Sequence, residues 1–315
     1  LAEQGHGDLV AIVGYLDETP DGRPQNVAAV IHGGHVKARY IKTHLPNFGV
    51  FDEYRNFVAG DSTLVVRIHG VDVGVLICQD IWHPDGVLAE LAARSPGLVV
   101  VPNGSPFELD KPDVRVTHAV ARVTETGLPL MAHIDEPPPS YEEVIGMLRP
   151  GDVLTHAFRP FPNSPATAQG TVKPAVLAAR KRGVLFDIGH GMGSFAFKTA
   201  RAMLANGFPP DTISSDVHAL CINGPAFDQV TTMSKFLCLG MSLPDVIKAS
   251  TEGAAFALKR PELGSLKPGS AGDATLLSVD DGTFDYVDVV GEHLEGRQRI
   301  HSRGVVIAGK WWHPA

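Results

Sequence analysis

The segment VLFDIGHGMGSFAFKTARAMLANGFPPDTISSDVH, residues 184–218, contains the pattern that decides the fold. It opens with an apolar run, VLFDIGH, that ends at His190, and continues through SFAFKTARAMLANG, which has helical apolar spacing. It closes with a second apolar run, TISSDVH, that contains Asp216. Short apolar runs between turn residues are typical of buried strands. The segment therefore predicts a strand–helix–strand unit with polar residues where each strand ends.

The same order of elements precedes this segment along the chain. LPLMAHI and DVLTHAF are two further apolar runs, and each carries a histidine near its end, His133 and His156. Helical stretches separate the runs, and SYEEVIGMLR begins with Ser140 and Glu143 at the spacing of a capping box. The stretch KPAVLAARKRG ends at a glycine suited to a left-handed cap. Repeated strand–helix units predict parallel strands with right-handed crossovers.

The end of the chain has a different pattern. From Gly264 onwards the sequence is turn-rich and β-patterned, with DATLLSVD, YVDVVG and GVVIAGKWW as expected strands. Trp311 and Trp312 are expected to serve in the hydrophobic core. The sequence thus predicts an α/β fold in which half of a (β/α)8 barrel precedes a β-rich tail.

Four polar residues mark the ends of the four apolar runs: His133, His156, His190 and Asp216. In a (β/α)8 barrel the carboxyl ends of the strands converge on one mouth, where the chemistry takes place. Imidazoles and a carboxylate at one mouth are suitable ligands for Zn²⁺ or a similar divalent ion, which activates water near neutral pH. Asp216 can both bind such an ion and accept a proton. The alternative is that each polar tip is only a solvated strand end.

The first part of the chain consists of short strands and turns. VAIVGYLD and NVAAVIHGGHVKARYI predict a strand and a hairpin that turns at Gly33-Gly34, with His32 and His35 on the surface. LVVRIHGVDVGVLICQD predicts two more strands, and PDGVLAELAARS predicts a helix before the short strand GLVVVPNGS. Cys78 ends a buried strand before an expected helix, where amide dipoles favour the thiolate. The alternative is an inert buried cysteine.

Composition excludes several classes of protein. The 315 residues include 27 basic and 35 acidic side chains, a net charge of −8, which argues against nucleic acid as a partner. No apolar stretch is long enough to span a membrane, and no targeting segment is evident. Three cysteines make a disulfide framework improbable, so we expect a reducing, cytoplasmic location. The loop GHGMGSF lacks the lysine and the spacing of a phosphate-binding loop.

Residues of about 117–315 resemble the second half of the dihydroorotase-like amidohydrolase and deacetylase metalloenzymes. The resemblance rests on LPLMAHIDEPPPSYEEVIGMLRPGDVLTHAF, VLFDIGHGMGSFAFKTA, ISSDVHA and TTMSKFL. It implies that His133 and His156 are metal ligands, that Asp216 is a metal-binding general base and that His190 contacts substrate. The family's H-x-H pair is missing, since no two of the 14 histidines are two residues apart, and Lys111 does not match the family's carboxylated lysine.

Residues of about 1–115 resemble a different family, the nitrilase-like glutaminase domain of glutamine-dependent NAD synthetases. The segments YIKTHLPNFGVFDEYRNFVAGD, VDVGVLICQDIW and PNGSPFELDKPDVR carry this resemblance. It implies that Cys78 is a nucleophile, that Lys42 stabilises an oxyanion and that Glu53 is a supporting glutamate. The family's general-base glutamate and its ATP-using domain have no counterpart in this sequence.

We therefore expect three parts: a partial nitrilase-like α/β sandwich at 1–115, half of an amidohydrolase barrel at 116–262, and a β-rich tail at 263–315. The favoured function is hydrolysis of a non-peptide amide or an ester by metal-activated water, with one divalent ion, Zn²⁺ for preference. One alternative is a cysteine-dependent glutaminase or amidase. Another is a fusion with no complete active site. Because half a barrel leaves strand edges unpaired, we also expect self-association.

Overall fold

The computed structural model describes residues 9–49, 51–104 and 111–312. The described residues divide into two compact units, the first ending at Leu128 and the second beginning at Pro129. The expected junction at residue 116 falls inside a continuous helix, Lys111–Thr126, that belongs to the first unit. The ring of His118 in this helix stacks on Trp82 with centroids 4.8 Å apart, so the helix packs on the 3-10 helix Cys78–Trp82. In the described parts of the chain, no helix is long and apolar enough to cross a membrane.

The first unit contains two three-stranded sheets. Its strands and helices are β1 (Val10–Glu18), β2 (Pro24–His32), β3 (His35–Ile41), α1 (Glu53–Asn56), β4 (Leu64–Ile68), β5 (Val71–Val75), a 3-10 helix (Cys78–Trp82), α2 (Val87–Ala93), β6 (Leu98–Val100) and α3 (Lys111–Thr126). β1, β2 and β3 form an antiparallel sheet, whereas β5 pairs antiparallel with β4 and parallel with β6.

The hairpins expected in the first unit are confirmed. Gly33, Gly34 and Gly70 all have positive φ, the conformation that these tight turns require and that glycine adopts without steric cost. Gly74 in β5 has a separate reason to lack a side chain, since a Cβ there would lie 2.7 Å from a methyl carbon of Leu91. Helix α2 therefore packs directly on the backbone of β5, and the core of this unit forms at that contact.

The second unit begins with the predicted strand–helix alternation. Its elements are β7 (Met131–His133), α4 (Tyr141–Met147), β8 (Val153–Thr155), α5 (Pro174–Arg182), β9 (Leu185–Phe186), α6 (Phe197–Ala205), α7 (Gln229–Cys238), α8 (Leu243–Ser250), α9 (Glu252–Ala257), a 3-10 helix (Pro261–Leu263), β10 (Ala274–Val287), β11 (His293–Ile307) and β12 (Lys310–Trp312). The helix signals are also confirmed: Ser140 and Glu143 form the capping box, and Gly183 caps α5 in the left-handed conformation.

The parallel sheet of this unit has three strands, whereas the sequence predicted four. β7, β8 and β9 pair in parallel, and the fourth apolar run contributes only an isolated parallel bridge between Asp187 and Thr212. The described strands thus form an open parallel sheet rather than a closed barrel. Buried side chains such as Phe158, Phe186 and Phe236 form its hydrophobic core with the surrounding helices.

The tail is the predicted antiparallel β-structure, with β11 between β10 and β12. The expectation of a core role for the two tryptophans is wrong, because Trp311 and Trp312 are 49% and 50% exposed. They lie on a three-residue strand paired with β11. The ring of Trp311 covers Gly304 of β11, where a Cβ would overlap the ring. The indole thus packs on the neighbouring backbone at the sheet edge instead of in the core.

Candidate functional site

Two of the predicted metal ligands are in direct contact at the ends of neighbouring strands. His133 is the last residue of β7, and His156 follows β8 directly. His133 Nδ1 lies 2.7 Å from His156 Nε2, and the rings meet edge to face with centroids 4.1 Å apart. The pairing of β7 with β8 produces this contact, because His133 is in register with Thr155.

The environment of His156 determines where its proton resides. Its Nδ1 lies 2.6 Å from the Gly189 carbonyl oxygen, which can only accept, so Nδ1–H donates. Nε2 is therefore unprotonated and accepts a hydrogen bond from His133 Nδ1–H. Burial lowers the pKa of His156 because it disfavours the charged ring, and the neighbouring His133 lowers it further, although the Gly189 carbonyl opposes this. His156 is thus a neutral imidazole with an Nε2 lone pair, which is the form that binds metals.

Asp216 lies on the segment that follows the parallel bridge and is exposed. The loop GHG comes close to it: a Cβ on Gly191 would lie 2.7 Å from a carboxylate oxygen of Asp216, and Gly191 has φ 52°. A Cβ on Gly189 would likewise lie only 2.3 Å from the Thr155 hydroxyl oxygen. Both positions need glycine. The glycines of this motif thus allow the loop backbone to lie close to the residues at the ends of the strands.

The three predicted ligands do not form a compact metal-binding group in this conformation. Within the part of the chain that the structure describes, His133, His156 and Asp216 do not bring one ligand atom each within 4.8 Å of one another. Two nitrogens on one tetrahedral zinc are about 3.3 Å apart, so the two histidine rings would need to separate by about 0.6 Å. His133 would also give up its Nδ1 proton. In the other tautomer the proton would be on Nε2, which lies 3.8 Å from an Asp135 carboxylate oxygen and would need to approach it to donate a hydrogen bond. The two histidines suit a divalent ion after this rearrangement, whereas Asp216 would also have to move toward them to complete the set.

A buried carboxylate that the sequence analysis missed holds the strand tips together. Asp187 is 3% exposed and accepts hydrogen bonds from the hydroxyls of Thr155 at 2.7 Å, Thr212 at 2.5 Å and Ser214 at 2.7 Å. These residues come from the ends of β8 and β9 and from the segment that leads to Asp216. The aspartate within the apolar run VLFDIGH was the available signal, since a charge in a buried strand needs partners.

His190 is buried completely and contacts protein groups. Its Nε2 lies 2.7 Å from Lys235 Nζ in α7, and its Nδ1 lies 3.0 Å from the Gly191 carbonyl oxygen. Burial lowers the pKa of His190 to about 3, with a further contribution from Lys235. In this conformation His190 anchors the glycine loop, and its substrate contact stays a prediction.

Lys235 is a second functional group that the sequence analysis missed. It is fully buried, and its Nζ donates to the carbonyl oxygens of Pro225 and Val287, both at 2.7 Å, besides contacting His190. Burial lowers the pKa of Lys235 to about 7. A lysine in the otherwise apolar stretch TTMSKFL was the signal. It joins the glycine loop to α7 and to the end of β10.

In the first unit the structure brings together the residues implied by the glutaminase resemblance. Lys42 is 1% exposed, and its Nζ lies 2.6 Å from a Glu53 carboxylate oxygen. Cys78 begins the 3-10 helix that follows β5 and has φ 45°. The lysine and the glutamate both act electrostatically on the thiol, Lys42 lowering its pKa and Glu53 raising it.

The expected stabilisation of a Cys78 thiolate is wrong. Burial raises the pKa of the thiol and outweighs the effect of Lys42, while Glu53 and Asp80 raise it further. The element that begins at Cys78 is a five-residue 3-10 helix instead of an α-helix. The helix dipole that would favour the thiolate is therefore small. Cys78 is therefore a protonated thiol in this environment.

Comparisons with known proteins support both resemblances in part. Residues 6–132 match the profile of the family described as carbon-nitrogen hydrolase. A glutamine-dependent NAD(+) synthetase of Rhodobacter capsulatus is 45% identical over 117 residues, which are 37% of this chain and 20% of that protein. The first unit thus contains a nitrilase-like segment.

Further similarities include deacetylases and the crystal structures of an adenine deaminase and a dihydroorotase; the adenine deaminase has a TM-score of 0.62 at 30% identity, covering 64% of this chain and 55% of the other. A deacetylase of Brucella anthropi is 34% identical over 197 residues, 62% of this chain and 48% of that protein. The crystal structure of a dihydroorotase superposes with a TM-score of 0.60 at 29% identity, covering 71% of this chain and 62% of the other. The chain thus spans about half the length of this deacetylase and a fifth of that synthetase. These similarities place it near enzymes that hydrolyse carbon–nitrogen bonds.

Proposed function

We propose that the second unit is a metal-dependent hydrolase module that cleaves a non-peptide amide or an ester. The observation that carries the proposal is the contact between His133 and His156, in which the Gly189 carbonyl fixes the His156 tautomer with its Nε2 lone pair toward the partner ring. Such a second contact on a ligand histidine is typical of metal sites. The similarity to deacetylases supports the reaction class.

Each residue has a distinct role in this proposal. His133 and His156 would hold the ion, and exposed Asp216 would complete the ligands and serve as the proton acceptor for the attacking water. A divalent ion supplies the Lewis acidity that activates water near neutral pH. Asp187 positions the strand tips, and the glycines of the GHG loop leave room for the Asp216 carboxylate. Because the family's H-x-H pair and carboxylated lysine have no counterpart here, we expect one weakly bound ion.

Substitution of the two candidate catalytic groups tests the proposal. With Zn²⁺ supplied, a panel of N-acetylated amino acids and simple esters serves as substrate. Asp216→Asn should abolish hydrolysis because it removes both a ligand and the proton acceptor, whereas Cys78→Ser should leave it unchanged. The opposite pattern would contradict the proposal and assign the activity to the first unit.

A cysteine-dependent glutaminase or amidase in the first unit is the second candidate. The ion pair between buried Lys42 and half-buried Glu53, with Cys78 in their electrostatic field, favours it. The protonated state of Cys78 opposes it, because the thiolate is the nucleophile. Slow alkylation of Cys78 by iodoacetamide at pH 7 would argue against this candidate, and rapid alkylation that depends on Lys42 would support it. A chain in which neither site turns over would correspond to the third expectation, a fusion without a complete active site.

A further inference from the structure

A second set of metal-ligating side chains lies in the first unit, and the resemblances do not account for it. His44, His83 and Asp85 each offer one ligand atom, and these atoms all lie within 4.8 Å of one another. Both histidines are half-buried, and the aspartate is exposed. Within the described ranges, this is the one group of three such side chains that meets this distance.

The orientation of His44 is set by a buried carboxylate. Its Nδ1 lies 3.2 Å from an Asp80 carboxylate oxygen, and Asp80 is 0% exposed. The same oxygen accepts from the His44 backbone N–H at 2.7 Å, and the other carboxylate oxygen accepts from the Tyr40 hydroxyl at 2.8 Å and from the Ile77 N–H at 3.0 Å. A carboxylate with these partners can only accept from His44, so Nδ1 carries the proton and Nε2 keeps its lone pair. A carboxylate behind a histidine is a typical outer contact of a metal ligand.

The other two ligands, His83 and Asp85, are two residues apart in the segment between the 3-10 helix and α2. The His83 ring stacks on that of His44 with centroids 4.2 Å apart and an interplanar angle of 11°. Parallel rings do not aim both lone pairs at one point, so His83 must turn about its Cβ–Cγ bond to share an ion. Its partial exposure allows this rotation.

We propose that His44, His83 and Asp85 bind one divalent ion of the zinc class. Two imidazole nitrogens and one carboxylate oxygen favour Zn²⁺, Co²⁺ or Ni²⁺ over Mg²⁺ and Ca²⁺, which prefer oxygen ligands throughout. The ion would join the chain beyond β3 to the turn before α2 and so clamp the segment that contains Cys78. This site does not depend on the proposed hydrolase site in the second unit.

Zinc titration of the 315-residue chain, freed of any affinity tag, tests the proposal. The background carries His133→Ala and His156→Ala, which removes the other proposed site, so failure here is distinguishable from failure there. We expect one Zn²⁺ per chain by isothermal titration calorimetry at pH 7.5. His44→Ala, His83→Ala and the milder Asp85→Asn should each weaken binding at least 10-fold, whereas the exposed His35→Ala should not change it.

Co²⁺ absorption and thermal unfolding provide independent readouts. Co²⁺ bound by nitrogen and oxygen ligands should give visible bands in the background chain that disappear in the His83→Ala chain, and Zn²⁺ should raise the unfolding midpoint only where it binds. Circular dichroism establishes that each variant is folded. Zinc affinity that is absent from the background, or that is unchanged in a folded Asp85→Asn or His83→Ala chain, would overturn the proposal.

Discussion

Replacing Asp187 by alanine should destabilise the second unit and disorganise its strand tips. The side chain is 3% exposed and accepts three hydroxyl hydrogen bonds of 2.5–2.7 Å. A hydrogen bond to a charged group contributes about 1.5–3 kcal/mol, but the three share one acceptor and are not additive. Because Asp187→Ala also leaves these hydroxyls without an acceptor, at about 1–3 kcal/mol for each buried group, we expect a loss of about 3–5 kcal/mol. For a unit of this size, that loss corresponds to a midpoint about 6–20 °C lower.

The assay is urea unfolding followed by circular dichroism, with zinc affinity measured on the same samples, all in the His83→Ala background that removes the site proposed in the first unit. Asp281→Ala is the matched control, because Asp281 is exposed on β10 and accepts a single bond of 3.1 Å from Gln298. Its effect should stay within about 0.5 kcal/mol. If Asp187→Ala were no more destabilising than Asp281→Ala and bound zinc equally well, the idea that Asp187 positions the strand tips would be refuted.

Three further predictions concern other parts of the second unit. The pKa of Lys235 is about 7 in the fold, below its ordinary value, so the unfolded chain holds the proton more tightly above pH 7. The free energy of unfolding should therefore rise by about 2 kcal/mol from pH 7 to pH 9 relative to Lys235→Met, and a flat difference in urea titrations would contradict this. Ser140→Ala removes the cap that bonds Glu143 N–H at 3.3 Å and should cost about 1 kcal/mol in the same titrations, whereas an unchanged stability would show that the cap contributes little. The expected self-association should appear as dimers or larger species in sedimentation velocity, and a monomer with one sharp unfolding transition would count against it.

Local patterns predicted the secondary structure well. The capping box at Ser140, the glycine cap at Gly183 and the hairpin turns at Gly33 and Gly70 depend on residues within a few positions, and the structure confirms them. The sequence also predicted that His133 and His156 would lie close together, because adjacent parallel strands bring their carboxyl ends together.

Features that depend on distant partners could not be predicted from the sequence. The hydroxyl partners of Asp187 are 25 to 32 residues away, and Lys235 contacts His190 at a separation of 45 residues. The protonated state of Cys78 depends on how deeply the fold buries it. The exposure of Trp311 follows from the position of β12 at an edge, which the apolar pattern does not reveal. Such partners and burial become visible only when the strands are assembled.

Zinc binding by the second unit tests the central claim most directly. Equilibrium dialysis of the His83→Ala chain against Zn²⁺ at pH 7.5, followed by elemental analysis, isolates the second unit from the site proposed in the first. We predict close to one zinc per chain, and loss of that zinc when His156→Ala is added, because His156 is the ligand whose tautomer the Gly189 carbonyl fixes. No bound zinc in the His83→Ala chain, or equal zinc after His156→Ala, would contradict the account.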